Sequence, residues 1–122
     1  MTSVVRHQPN VLFVHFADLK KDLNSEMRRV AKFLNIPSLS DDEWQAAVEH
    51  STFDWMKEHS ELQVPPLMEQ AFMGGSREFI NKGTNGRWKD VLSEEDTRRY
   101  MEKAREELGD SCAEWLEKGR LA

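Results

Sequence analysis

The chain has 122 residues, a formal net charge of −5, a pI near 5.4, and 32% charged beside 39% hydrophobic residues. That length suits one small domain; the acidity excludes a general binder of nucleic acid or anionic membrane, and the charge balance excludes a disordered chain. A single cysteine, Cys112, excludes an internal disulfide framework and a multi-cysteine zinc site, and fits a reducing compartment.

Residues 1–10 are polar and expected to be loosely held, with no apolar stretch of the kind a secretory signal carries. No run is long enough to span a bilayer, so the expected location is cytoplasmic. Residues 11–16, Val-Leu-Phe-Val-His-Phe, form a β-branched and aromatic run that predicts one buried strand. A lone strand cannot satisfy its ladder hydrogen bonds. Self-association or a partner chain through this strand is therefore expected, or membership of a larger α/β domain. His15, set among Val and Phe, reads as a hydrogen-bonded core histidine rather than a ligand or base.

After Ala17-Asp18 the period becomes helical. Leu23, Met27, Val30, Ala31 and Leu34 share one face, Glu26, Arg28, Arg29 and Lys32 fall mostly on the other, and Asp22 or Asn24 is placed to cap. Asn35-Ile36-Pro37 ends that helix. Ser40 and Glu43 have the spacing of a capping box before Trp44, Ala47 and Val48. The stretch His50-Ser51-Thr52-Phe53 opens a further short helix, which on its own reads as a cap followed by packing aromatics.

Residues 58–77 are the least regular, with Pro65-Pro66 barring a helix and Gly74-Gly75-Ser76 adding a joint; Met68, Phe72 and Met73 make an apolar patch. His59 is expected to be exposed. Phe79-Ile80-Asn81-Lys82-Gly83-Thr84-Asn85-Gly86-Arg87-Trp88-Lys89 then concentrates two glycines and three cations in a turn. Such a turn suits an anion, most plausibly phosphate, although a solvated connector has the same composition. Ser93-Glu94-Glu95-Asp96 starts the clearest helix. Tyr100, Met101, Ala104 and Leu108 lie on one face, Glu94/Arg98 and Glu95/Arg99 stand at i,i+4, and Gly109 is the stop. Asp110 is placed to cap a last helix carrying Cys112, Trp115 and Leu116.

The pattern Phe-x-x-Lys-Gly-x-x-Gly-x-Trp-Lys resembles the C-terminal signature of sulfotransferases that use 3'-phosphoadenosine-5'-phosphosulfate (PAPS), in which Arg-Lys-Gly-x-x-Gly-Asp-Trp-Lys is usual. Lys82, Gly83, Gly86, Trp88 and Lys89 match; Asn81 stands for the arginine and Arg87 for the aspartate. His50-Ser51-Thr52-Phe53 resembles the family's His-Thr-Ser-Phe, and Asp18-Leu19-Lys20 part of its Tyr-Glu-Asp-Leu-Lys. The resemblance implies a cofactor site in which Ser51 and Phe53 hold the adenine of PAPS or of its product, 3'-phosphoadenosine-5'-phosphate (PAP). The segment Phe79, Ile80, Asn81, Lys82 and Gly83 would hold the 3'-phosphate. It implies no metal.

The fold so implied is α/β: the C-terminal part of a P-loop-type sulfotransferase fold, mostly helical with one N-terminal strand, with residues 1–122 a partial domain. No lysine is followed by serine or threonine, so the family's phosphate loop is absent from the sequence, and no histidine stands in the context of the family's catalytic base. The expected role is a contribution to the nucleotide site for sulfuryl transfer to a hydroxyl or amine acceptor, without activity alone. The other reading is a non-catalytic helical interaction module that keeps a degenerate nucleotide turn.

Overall fold

The computed structural model describes residues 5–65, 73, 75–80 and 82–121. Two compact units emerge: Met1–Ile36 with Asn85–Ala122, and Pro37–Thr84. Among the described residues every regular element is helical.

In the first unit the expected strand is absent. Residues 11–15 carry no regular structure, and Phe16 already opens helix α1, Phe16–Lys21. A strand exists only through its ladder, and no second strand lies beside this one among the described residues. Other groups satisfy the backbone instead. The Phe13 carbonyl accepts from Arg29 Nη2 at 2.9 Å, and the Val11 amide donates to the Gln8 carbonyl at 3.2 Å. His15, extended at φ −108° and ψ 136°, caps α1 by accepting from the Ala17 amide.

Helix α2, Leu23–Phe33, starts where Asp22 Oδ1 accepts from the Ser25 amide at 3.0 Å. It ends in a Schellman turn. The Ile36 amide reaches the Ala31 carbonyl, the Asn35 amide reaches Lys32, and Asn35 takes the left-handed conformation at φ 53°. Asn35 is thus the stop itself, before Pro37 has any influence.

Helix α6, Glu94–Leu108, is capped by Ser93 and packs on α7, Asp110–Lys118. Arg98 pairs with Glu95 at 2.7 Å and with Glu102 at 2.6 Å rather than with Glu94. Both partners are solvated, so the pairing tunes α6 only slightly. Asp110 is the first residue of α7 and makes no cap hydrogen bond; Gly109 holds the N-cap position.

The interior of this unit is organised by carboxylates, which the amphipathic reading of α2 missed. Glu26 is fully buried, and Asp18 nearly so. Asp18 accepts from the backbone amides of Arg120 and Leu121, both at 2.8 Å, and thereby ties the C-terminal segment to α1. Gly119, at φ 85°, lets that segment approach: a Cβ there would stand 2.5 Å from Asp18 Oδ1. Glu26 bridges Arg29, at 2.6 Å, and Arg120. Lys21 completes the clasp through the Leu121 carbonyl.

Burial pushes the Asp18 carboxyl up, but the hydrogen bonds from the Arg120 and Leu121 amides and the Arg120 charge outweigh it, and the group sits below its ordinary value. For Glu26 the hydrogen bond from Arg29 is the largest effect; with Arg120 it overcomes burial and lowers that carboxyl too. Groups depressed in the folded state stabilise it above their unfolded values, and the contribution disappears as pH falls through the folded ones. Thermal midpoints should therefore hold steady down to about pH 4–5 and then drop steeply. The double variant Asp18→Asn, Glu26→Gln should lose most of that acid limb. An unchanged limb in scanning calorimetry would remove these two groups as its source.

The second unit is built from two joined helices and a following turn. Helix α3, Asp41–His50, begins with the expected capping box: the Glu43 amide donates to Ser40 Oγ, and Glu43 Oε2 accepts from the Ser40 amide. Helix α4, Phe53–Glu58, follows after two residues, with Thr52 as its N-cap. A 3-10 turn at Ser60–Leu62 packs against the short helix α5, Ser76–Phe79. There the buried hydroxyls of Ser60 and Ser76 satisfy each other at 3.0 Å. Met68 and Phe72 lie outside the described residues.

Candidate functional site

The glycine-rich stretch straddles the two units. Lys82–Thr84 fall in the second, and Asn85–Lys89 in the first, so each half is a local structure of its own.

In the second unit the corner between α3 and α4 carries Ser51 and Phe53. Ser51 is the C-cap of α3, and its Oγ donates to the Ala47 carbonyl at 2.8 Å. With its hydrogen so committed, the hydroxyl presents lone pairs; toward a ligand it is an acceptor. Phe53, the first residue of α4, meets the glycine turn thirty positions later in the chain. Gly83 sits at φ 58°, and a Cβ built on it would lie 2.3 Å from Phe53 Cδ2 and 2.5 Å from Cε2. Only glycine gives both the left-handed backbone and this approach to the ring.

Structure thus brings Phe53 and Gly83 together, with Ser51 on the same corner. Phe79 ends α5 and is 58% exposed. Ile80 follows as its C-cap, half-buried, and Lys82 is exposed. Asn81 lies outside the described residues. An apolar ring, a side-chain-free backbone and a nearby lysine are the chemical parts that a base and a phosphate require.

Two features of this corner were not anticipated. Trp55 stacks with both His50 and His59, each ring 4.2 Å away, at interplanar angles of 27° and 15°. His59 Nδ1 also lies 3.0 Å from the Trp55 carbonyl oxygen, so His59 is half-buried instead of exposed. The second is Lys57, whose Nζ stands 5.6 Å from the centre of the Phe53 ring. Both were open to sequence reading as i,i+4 pairs, Trp55/His59 and Phe53/Lys57. By spacing alone the aromatic residues there read as packing, and the resemblance gives a role only to Phe53.

In the first unit Asn85 Oδ1 accepts from the Gly86 amide at 3.0 Å, and Arg87–Asp90 forms a 3-10 turn. Trp88 from that turn joins Phe16, Leu92, Tyr100, Met101 and Leu116 around a cleft of about 450 Å³. His15 borders the cleft with both nitrogens engaged: Nδ1 accepts from the Ala17 amide and Nε2 donates to the Leu116 carbonyl at 2.9 Å. That pattern fits the Nε2–H tautomer and leaves His15 no free ring nitrogen toward the cleft. The histidine is hydrogen-bonded as expected, though only half-buried.

Among the described residues no cluster of His, Cys, Asp or Glu could hold a metal ion. No described helix is long and apolar enough to cross a membrane.

Comparison with known proteins gives the family. Residues 1–112 match the sulfotransferase domain. The chain belongs to the sulfotransferase family. A glycolipid sulfotransferase of Mycobacterium bovis is 27% identical over 117 residues, which are 96% of this chain and 35% of that protein. The amine sulfotransferase of Oryctolagus cuniculus is 31% identical over 103 residues, 83% of this chain and 34% of the relative. Cytosolic sulfotransferase 12 of Arabidopsis thaliana is 33% identical over 93 residues, 73% and 27% respectively. The chain therefore spans about a third of the length of the curated sulfotransferases it matches. No solved structure matches it.

Proposed function

We propose that this chain carries part of the nucleotide site of a PAPS-dependent sulfotransferase and does not transfer sulfuryl groups by itself. The observation that supports this most is the contact of the Gly83 backbone with the Phe53 ring. Two segments that match family motifs independently meet in one place. In this reading the adenine lies against Phe53, with Ser51 accepting from its exocyclic amine. The 3'-phosphate lies at Lys82 and the Gly83 amide, beside Phe79, Ile80 and Asn81.

PAPS bound there would supply the sulfuryl group that passes to a hydroxyl or amine acceptor. This chain's residues contribute binding and orientation, which converts part of the encounter into an intramolecular step. A base and a phosphate loop, both absent from the sequence, must come from other polypeptide. The parent fold would be a P-loop-type α/β sandwich in the cytoplasm, in which residues 1–122 form a partial domain docked on that other polypeptide. The cleft lined by Phe16, Trp88 and Tyr100 is the apolar face such a docking would cover.

Titration calorimetry with PAP and AMP tests the reading. PAP should bind more tightly than AMP, and the difference should shrink with salt, since it is a contact between charges. Lys82→Ala should remove most of the preference, roughly tenfold or more for a charge-assisted hydrogen bond. Equal affinities for PAP and AMP would leave the turn a connector.

A further inference from the structure

The Phe53 ring is a meeting point for more than Gly83. On α4, Lys57 follows Phe53 by four residues, so the two side chains rise from the same helical face. The Lys57 ammonium lies 5.6 Å from the ring centre. The backbone of the glycine turn also comes within contact distance of this ring. Lys57 on α4 and the Gly83 turn, with Lys82 next to it in sequence, are therefore joined through this one ring.

We propose that Lys57 is a second phosphate-binding cation of this site and accounts for a large part of its preference for a 3'-phosphorylated nucleotide. The inference rests on the nucleotide reading above. Lysine suits the role because its ammonium is a compact charge on a flexible stem. A change of rotamer carries it from the ring toward an anion while its methylenes keep covering the aromatic edge. Arginine is missing from the position before Lys82, where Asn81 offers a neutral donor. A cation arriving from α4 restores the charge that one lysine alone would leave unbalanced against a dianionic phosphate.

The alternative is that Lys57 and Phe53 form an ordinary i,i+4 cation–π pair that only steadies α4. Binding and stability separate the two roles. Lys57→Met keeps the apolar stem and removes the charge, and Lys57→Arg keeps the charge. Calorimetry with PAP and with AMP should show Lys57→Met losing about tenfold for PAP and little for AMP, the low end for a charge-assisted bond. Lys57→Arg should retain the preference. Asn81→Arg placed on Lys57→Met should restore it.

A wild-type chain that prefers PAP, with Lys57→Met keeping that preference in full, would overturn the inference and leave the nucleotide reading standing. A wild-type chain with no preference overturns both. Equal losses for PAP and AMP in Lys57→Met, with a matching fall in thermal midpoint, would assign Lys57 to α4 stability and also overturn the proposal.

Discussion

Removing both arginines that hold Glu26, as in Arg29→Met with Arg120→Met, is expected to destabilise the first unit by about 3 kcal/mol at neutral pH. Glu26 is fully buried, whereas the side chains of Arg29 and Arg120 are 29% and 47% exposed. Losing the arginines strands a charge in the interior, a change that commonly costs about 3–5 kcal/mol. The carboxyl has one escape, which is to take up a proton. For a group with an ordinary value near 4.5 that costs roughly 3.4 kcal/mol at pH 7, and this caps the penalty. Glu26→Gln is the opposite experiment, because the two arginines it leaves are in reach of water and keep a neutral acceptor. It should cost only about 1–2 kcal/mol. The sign with pH follows. The stranded carboxylate raises its own folded value, so the double-arginine variant should gain on the wild type as pH falls toward 4. Urea titrations at pH 7 and pH 4 measure both quantities. Equal penalties for Glu26→Gln and the arginine pair would show that the cluster acts by packing and not by charge.

That buried cluster also marks the limit of what the sequence disclosed. Local signals were legible wherever one segment sufficed to satisfy its own backbone. The Ser40/Glu43 box, the Ser93 cap, the Asn35 stop and the Gly109 stop all appear where spacing puts them. The larger errors lie where the deciding partner is distant in sequence. Residues 11–16 have strand composition, but a strand is a property of a pair, and Arg29 answers the Phe13 carbonyl instead. Glu26 sits on the charged side of the α2 pattern, yet Arg120, far along the chain, turns that side into an interior. The candidate site shows the same division. Ser51, Phe53, Lys82 and Gly83 are candidates because they match motif positions, whereas the contacts of the Phe53 ring with Lys57 and Gly83 emerge only from the fold.

Gly83→Ala should weaken PAP binding by tenfold or more and lower stability as well. Two separate penalties act at this position. An L-residue at φ 58° costs roughly 1–2 kcal/mol, because its Cβ crowds the adjoining carbonyl. The same Cβ would stand 2.3–2.8 Å from three atoms of the Phe53 ring, well inside contact distance, so the ring or the turn must move. Displacement of either breaks the surface on which the base and the phosphate are proposed to rest. Trimming the ring should reveal the second penalty. In Gly83→Ala with Phe53→Leu the clash is relieved, so the stability loss should be smaller than the sum of the two single losses, the non-additivity expected of residues in contact. Nucleotide affinity should stay low in the pair, since the flat ring is gone. A double-mutant cycle followed by thermal unfolding, with PAP binding read on the same four proteins, separates these effects. Additive stability losses would mean that the ring and the glycine do not press on each other in solution. Full PAP affinity in Gly83→Ala would place the phosphate somewhere other than this turn.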